Sequence, residues 1–521
     1  MLQMKQQLGE LPTAPQGLSV VRALFTGLHE AGITYCHWKS NEHLEAAVNG
    51  LTDLDILIDR HRSEDLQRVL AECGFKRFIA PPLRAYPAIE DYLALDPSSG
   101  RLVHLHLHYQ LTLGERYLKG YRLPWEARLL ATRRFDPEFG IYTADPALEL
   151  VLLLVRAAFK IRGRDHLRAW SRSYSREAAG DFSQELAWLR RQVDDRTAQE
   201  TARSLLGDAS VEPLRQALAT PLDLMPMANF AATIRPALRR HRTYGRQEAW
   251  LRAWLREFHC VADAINRRYL HRATPLRRIS PRGGTVIVLL GSDGSGKSTL
   301  ARTLVAWLGV KLDVVPIYLG SGDGPSAIYR LPMRIAHRLL RPLFGPRQPA
   351  HSRAEGDRVI SASGQGDLWT RIRAAALVPW ALALSCEKLG KLRRITRARN
   401  RGMIIVCDRF PQDEFPGFND GPLLAHWLDH PWSICRSLAA WEKRPYAEAA
   451  LDPPDLVIKL SVTPVVAQAR RPEMDLEELY RRVSTVHRLK FPPSTRVVEL
   501  SADEPVDIVE RNAKKIVWGH L

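Results

Sequence analysis

With 521 residues, 45% of them hydrophobic and 25% charged, the chain has the composition of a globular protein with two or more domains, and not that of a disordered one. Its net charge of +18 favours anionic partners, such as nucleotides, phosphorylated small molecules, nucleic acid or an acidic membrane surface. No apolar run reaches the roughly 18 residues of a membrane span, the N-terminus lacks a secretory signal and the six cysteines lack metal-binding spacing, so we expect a cytoplasmic protein.

The predicted elements begin with an amphipathic helix at residues 16–31 and a strand at residues 32–38. Lys39-Ser40 then predicts a turn, and Asn41 the N-cap of a short helix. A second strand follows at residues 51–59, where polar and apolar residues alternate.

Two strands of this part carry polar side chains along one face. Asp53 and Asp55 alternate with apolar residues, which places both carboxylates on the same side of their strand. Carboxylates about 7 Å apart along a strand can hold metal ions and a triphosphate, so both are candidate metal ligands. His104, His106 and His108 likewise share one face of a later strand. That pattern alone favours a solvated or hydrogen-bonded sheet face over a zinc site.

The order of turn, helix and Asp-x-Asp strand over residues 16–160 resembles the nucleotidyltransferase superfamily. The resemblance implies an α+β nucleotidyltransferase-like domain at residues 1–160. Members take a third carboxylate from a later strand, where this chain has histidines, and Mg²⁺ prefers oxygen ligands. Three interpretations stay open: active nucleotidyl transfer, a degenerate domain that binds a substrate or partner, and an α/β fold with structural carboxylates.

Helical patterns dominate the following segment. Residues 145–160 predict a buried helix with Asp145 as its N-cap, and residues 180–275 predict helices throughout. We therefore predict a helical connector with a basic linker at residues 161–283. Its Arg-rich aromatic stretch at residues 250–258 favours a helix packed between domains, and peripheral contact with a membrane stays open.

Residues 285–299 predict a strand, a phosphate-binding loop and a helix. The strand is apolar without interruption, as in a parallel sheet that is buried on both faces, and the loop fits G-x-x-x-x-G-K-[ST]. Its glycines let backbone N–H groups point at phosphate oxygens, Lys297 can reach the β- and γ-phosphates, and the Ser298 hydroxyl can ligate Mg²⁺. The predicted nucleotide-binding residues are Gly291, Ser292, Asp293, Gly294, Ser295, Gly296, Lys297, Ser298 and Thr299.

A later buried strand at residues 402–410 ends in Asp408 and Arg409. In an open α/β sheet this end faces the ligand crevice, where Asp408 can serve a metal ion or the acceptor and Arg409 can grip phosphate. Arg470 and Arg471 follow another strand and, with Arg481 and Arg482, lie at a place suited to a lid over the phosphates.

These motifs, in this order over residues 284–520, resemble the thymidylate kinase family of P-loop nucleoside monophosphate kinases. The resemblance implies a five-stranded parallel sheet with flanking helices at residues 284–521, ATP with Mg²⁺ as donor, and an arginine-lined lid. Lys297, Ser298, Thr299 and Arg409 carry over as phosphate or metal contacts. Where the family has an acidic residue before the first glycine, this chain has Leu290. Phosphoryl transfer is thus better supported than thymidylate as its acceptor.

The sequence predicts an ATP- and Mg²⁺-dependent kinase of a small anionic or sugar-like acceptor, joined to a nucleotidyltransferase-like domain. One alternative is a kinase and nucleotidyltransferase of sugar or glycan precursors in surface polysaccharide synthesis. A second is a polynucleotide-end kinase, which the lack of a basic groove interleaved with aromatic residues disfavours, or an ATP-binding module without catalysis. The sequence leaves the oligomeric state open.

Overall fold

The computed structural model describes residues 16–60, 63–81, 85–115, 118–160, 176–219, 224–270, 272–320, 368–416, 421–470, 472, 474 and 476–521. The chain forms two compact units, Met1–His271 and Arg272–Leu521. The finer division of the first 283 residues into a domain and a connector stays a prediction.

The first unit is built on a mixed sheet. Its strands are β1 (Tyr35–His37), β2 (Leu54–Ile58), β3 (Lys76–Phe78), β4 (Ile89–Leu95), β5 (Leu102–His108), β8 (Arg134–Asp136) and β9 (Ile141–Thr143), beside the hairpin of β6 (Leu111–Glu115) and β7 (Leu118–Leu123). The order in the sheet is β3-β4-β5-β2-β1-β9-β8. The histidine strand β5 lies between β2 and β4. It pairs in parallel with β2, the strand of the Asp-x-Asp motif, and antiparallel with β4.

Helices fill out the first unit. They are α1 (Ser19–Glu30), α2 (Leu44–Val48), α3 (Ser63–Glu72), α4 (Glu126–Ala131), α5 (Pro146–Lys160), α6 (Arg176–Leu189), α7 (Asp195–Leu206), α8 (Val211–Ala219), α9 (Leu224–Ala237) and α10 (Arg246–Ile265). The side chain of Asp145 accepts the N–H groups of Ala147 and Leu148, which confirms it as the N-cap of α5. α5 is buried along almost its whole length and shares a core with the helices α6 to α9.

The second unit has a parallel sheet with flanking helices, which confirms the predicted α/β fold class for this part. Its strands are β10 (Thr285–Gly291), β11 (Val314–Tyr318), β12 (Ile404–Asp408), β13 (Leu456–Ser461) and β14 (Arg496–Ser501), in the order β11-β12-β10-β13-β14. The helices are α11 (Lys297–Gly309), α12 (Leu368–Arg399), α13 (Ser433–Leu451), α14 (Pro464–Arg470), α15 (Leu476–Arg488) and α16 (Val506–His520). β10 is central because its apolar residues pair with both β12 and β13.

No helix among the described residues is long and apolar enough to cross a membrane.

Candidate functional site

The phosphate loop connects the central strand β10 to the start of α11. Gly294 and Gly296 have φ angles of 83° and 84°, a left-handed conformation that favours glycine. A Cβ atom on Gly291 would lie 2.3 Å from Oγ of Ser295, so any larger residue would displace the Ser295 side chain in this close fold of the loop. The hydroxyl oxygens of Ser292 and Ser295 are buried and, in the described part of the chain, have no hydrogen-bond partner. The predicted loop residues therefore form one compact turn.

Lys297 folds back over this loop. Its Nζ donates to the carbonyl oxygen of Ser292 at 3.1 Å and lies 3.5 Å from Oδ1 of Asp293. Burial, together with the charge of Arg409, lowers the pKa of Lys297. The ammonium group therefore lies inside the loop, at the place where the motif requires it.

Asp293 joins three cations from separate elements of the second unit. Its carboxylate contacts Lys297, Arg409 from the end of β12 and Arg482 on α15. Burial alone would raise the pKa of Asp293, but these three charges hold it below its usual value. Three cations that converge on one carboxylate also form a binding place for the oxygens of a phosphate. The sequence places Asp293 in the loop and Arg482 in the lid, but it does not reveal that the two residues pair, because they are far apart in the chain.

Asp408 and Arg409 lie where the parallel strands deliver them. Asp408 pairs with Leu289 of β10 and Tyr318 of β11, and it accepts a hydrogen bond from the Ser298 hydroxyl. Its other oxygen, Oδ1, is buried and has no hydrogen-bond partner among the described residues. An uncompensated carboxylate oxygen beside a hydroxyl is a donor set that suits a hard divalent cation.

Arg409 has a φ of 73°, which is rare for a residue with a side chain. The backbone N–H of Arg409 donates to Leu289, and the guanidinium reaches Asp293 at 3.0 Å. A Cβ atom on Gly320 would lie 2.8 Å from Cδ of Arg409, so the glycine leaves room for this side chain. The strained turn directs Arg409 across the mouth of the phosphate loop.

Of the adjacent arginines Arg470 and Arg471 that were predicted for the lid, the structure describes only Arg470. Arg470 ends α14 and donates to the carbonyl oxygens of Gly294 and Ala502 at 3.3 and 3.0 Å. Arg471 lies outside the described residues. Thr299 is exposed in the first turn of α11.

The second predicted site, in the first unit, is assembled across three strands. Asp55 and Asp91 lie opposite His106 on either side of it, from β2 and β4. The Nε2 atoms of His104 and His106 lie 3.0 and 2.9 Å from Oδ1 of Asp91. The nucleotidyltransferase resemblance implies a third carboxylate only on the histidine strand. Asp91 supplies one from its antiparallel neighbour, a strand that the sequence analysis did not identify.

Asp55 is the more enclosed of the two predicted carboxylates. Its Oδ1 lies 2.9 Å from Nζ of Lys39 and 3.3 Å from the rings of both His106 and His108. Burial would raise the pKa of Asp55, but Lys39 and the two histidines hold it well below its usual range. Asp53 is 30% exposed at its side chain and lies 2.8 Å from Nδ1 of His104.

The turn before α2 is bound by internal carboxylates. The backbone N–H groups of Ser40 and Asn41 donate to Glu185 and Glu149, at 3.1 and 3.0 Å. Ser40 is left-handed with φ 59° and precedes the short helix, so the predicted N-cap at Asn41 is wrong. The Asn41 side chain instead donates to Glu149 and meets His37. These amides are thus already satisfied without a phosphate ligand.

Known proteins match part of the chain. The uncharacterized ATP-binding protein YghR of Escherichia coli K12 is 30% identical over 236 residues, which are 44% of this chain and 86% of YghR. The uncharacterized ATP-binding protein YghS of the same strain is 30% identical over 240 residues, 45% of this chain and 93% of YghS. No established protein-family profile matches the chain. The structure of thymidylate kinase from Ehrlichia chaffeensis aligns over 45% of this chain and 98% of its own, with 15% identity and a TM-score of 0.23.

Proposed function

The chain belongs to the family of the Escherichia coli ATP-binding proteins YghR and YghS, and from this premise we propose that its second unit is an ATP-dependent kinase of a small anionic or sugar-like acceptor. The observation that carries the proposal is the convergence of Lys297, Arg409 and Arg482 on Asp293 above the phosphate loop. Phosphoryl transfer depends mainly on positioning and charge neutralisation, and this arrangement offers both.

The groups in and around the phosphate loop have different roles in the proposed reaction. Backbone N–H groups of the loop and Lys297 hold the donor phosphates, because the glycines leave no Cβ atoms in the way. Arg409 and Arg482 move from the Asp293 carboxylate to the oxygens of the phosphoryl group that is transferred, and neutralise its charge. Arg470 holds the loop in place through Gly294.

The residues beside the loop fit a magnesium ion. Ser298 and Asp408 would hold it, since Oδ1 of Asp408 is buried without a hydrogen-bond partner in the described part of the chain. When bound, Mg²⁺ supplies neutralisation of the charge on the phosphate oxygens. Asp408 also lies close enough to the loop to orient the acceptor hydroxyl or phosphate.

The test is ATP consumption by the purified protein against a panel of nucleoside monophosphates, sugars and sugar phosphates. We expect turnover with one acceptor class and a loss on the order of 10³-fold in Lys297→Ala. Thymidylate as the accepted substrate would make the protein a nucleotide-pool enzyme, and a sugar would make it an enzyme of glycan or metabolite activation.

ATP binding without turnover of any acceptor would overturn the kinase proposal in favour of a nucleotide-sensing module. A salt titration with short DNA and RNA separates the polynucleotide-end kinase, because binding to phosphate backbones weakens steeply as salt rises.

Nucleotidyl transfer by the first unit stays a prediction. One observation supports it and one opposes it. Asp91 completes a set of three carboxylates with Asp53 and Asp55. Against it, the amides of Ser40 and Asn41 are bound to glutamates. If Asp53→Asn leaves every activity of the full chain unchanged, the first unit is not a transferase.

A further inference from the structure

The face of the first unit that carries Asp53, His104 and His106 has the arrangement of a metal centre. The two histidines are on β5 and Asp53 directly precedes β2, and one ligand atom of each lies within 4.8 Å of the others. We propose that these three residues bind one divalent transition metal ion, of the class of Zn²⁺, Co²⁺ or Mn²⁺. The site is separate from the proposed kinase centre, and it differs from an all-carboxylate magnesium site.

Asp91 gives both imidazole rings the orientation that metal ligation needs. Its Oδ1 atom lies 3.0 Å from Nε2 of His104 and 2.9 Å from Nε2 of His106. A carboxylate in this position can accept the N–H of each ring, which leaves Nδ1 of each ring as the nitrogen for the metal. Metal-binding histidines characteristically have such a partner on the nitrogen that does not bind the metal.

The two Nδ1 atoms face the carboxylate of Asp53. Nδ1 of His104 lies 2.8 Å from Oδ1 of Asp53, and Nδ1 of His106 lies 3.9 Å from Oδ2. The His104 atom is fully buried, and its short contact with Asp53 lacks hydrogen-bond geometry. A buried ring nitrogen without a hydrogen bond is costly. A metal ion bound between this nitrogen and the carboxylate of Asp53 would satisfy both groups.

The donor set selects the class of metal. Two imidazole nitrogens and one carboxylate oxygen suit zinc and its transition-metal neighbours, whereas Mg²⁺ prefers oxygen ligands throughout. The side chains of His106 and Asp53 are 23% and 30% exposed, so the site opens to solvent on one side. Three protein ligands with an open position leave room for water or a substrate.

Asp55 lies next to this set without being free to join it fully. Its Oδ1 atom is 3.3 Å from Nδ1 of His106 and is held by Lys39 at 2.9 Å. His108 contacts the same oxygen at 3.3 Å. Nδ1 of His106 would therefore exchange its hydrogen bond with Asp55 for the metal, and Asp55 keeps negative charge beside the metal site.

The experiment is a Co²⁺ titration of the full-length protein after chelator treatment, followed by visible absorption and by elemental analysis of the dialysed sample. We expect one Co²⁺ per chain, with d–d absorption bands that Zn²⁺ abolishes and millimolar Mg²⁺ does not. Asp53→Asn and His106→Gln should weaken Co²⁺ binding by about 100-fold or more, and Asp91→Asn by about 10- to 100-fold. These partly exposed or isosteric changes avoid His104, whose burial makes its replacement a risk to folding.

The matched control is His259→Gln, because His259 is an exposed histidine on α10. It should leave the titration unchanged, as should Lys297→Ala, so failure of the kinase proposal does not affect this result. The proposal is overturned if the wild-type protein binds no Co²⁺ tightly. It is also overturned if folded Asp53→Asn and His106→Gln, checked by circular dichroism, bind Co²⁺ as well as the wild type does.

Discussion

The two candidate sites of this chain are built in opposite ways. The phosphate loop is one uninterrupted segment, Gly291 to Ser298, and its geometry follows from glycine conformation and the strand before it. The site of the first unit takes Asp53 from the residue before β2, Asp91 from β4 and His104 from β5, and only the register of these strands brings them together. The sequence of a contiguous motif therefore predicts both the motif and its geometry. A site whose residues come from several strands can be identified only when the pairing of those strands is known.

The largest expected effect tests how far the second unit depends on one residue from outside the loop. Arg409→Ala should lower the rate of ATP turnover by roughly 10³-fold, because an arginine that neutralises the transferred phosphoryl group is worth about that factor. Steady-state kinetics with the accepted substrate measures it. Arg511→Ala on the exposed face of α16 is the control. Equal rates in the two variants would mean that the loop works without Arg409.

The second prediction compares the stability effects of replacing Asp55 and Asp53, two aspartates of the first unit that differ in burial. Asp55→Asn should destabilise the region around β2 by about 2–3 kcal/mol, because Lys39 and His108 lose a buried charged partner. Asp53→Asn, at a partly exposed position, should cost no more than about 1 kcal/mol. Hydrogen–deuterium exchange of peptides that cover β2 measures both. If Asp53→Asn increased exchange as much as Asp55→Asn, the enclosed role assigned to Asp55 would be wrong.

The sequence predicts most of the second unit and little of how the first site is assembled. In the second unit, strand, loop and helix follow one another, and Asp408 reaches the loop because parallel strands end at the same edge of the sheet. In the first unit, Asp91 comes from a strand whose pairing with β5 is set by register, which no local pattern reveals. Arg482 shows the same limit in the second unit, since only the packing of α15 brings it to Asp293.

The smallest effect concerns Glu149, a buried carboxylate inside the apolar helix α5. Burial raises the pKa of Glu149 to about 8, although Asn41 donates two hydrogen bonds to it. The unfolded chain has the ordinary pKa of 4.5, so between the two values the folded state binds more protons than the unfolded state. Stability of the first unit must therefore fall as pH rises through this window.

As the pH rises from 6.5 to 7.5, the ionisation of Glu149 should lower the free energy of unfolding by about 1 kcal/mol. This is close to the limit of about 1.4 kcal/mol per pH unit for a single group. Glu149→Gln should remove this dependence of the free energy of unfolding on pH. The lost carboxylate changes the stability by an amount that does not vary with pH, so it does not affect the slope. Glu45→Gln, at an exposed site, should keep the pH dependence. Urea unfolding of both variants and the wild type at several pH values in this window measures the difference. Comparing the slopes of the three proteins removes every contribution that they share. An unchanged slope in Glu149→Gln would show that Glu149 is already ionised in the fold, with its charge held by the turn at Ser40 and Asn41.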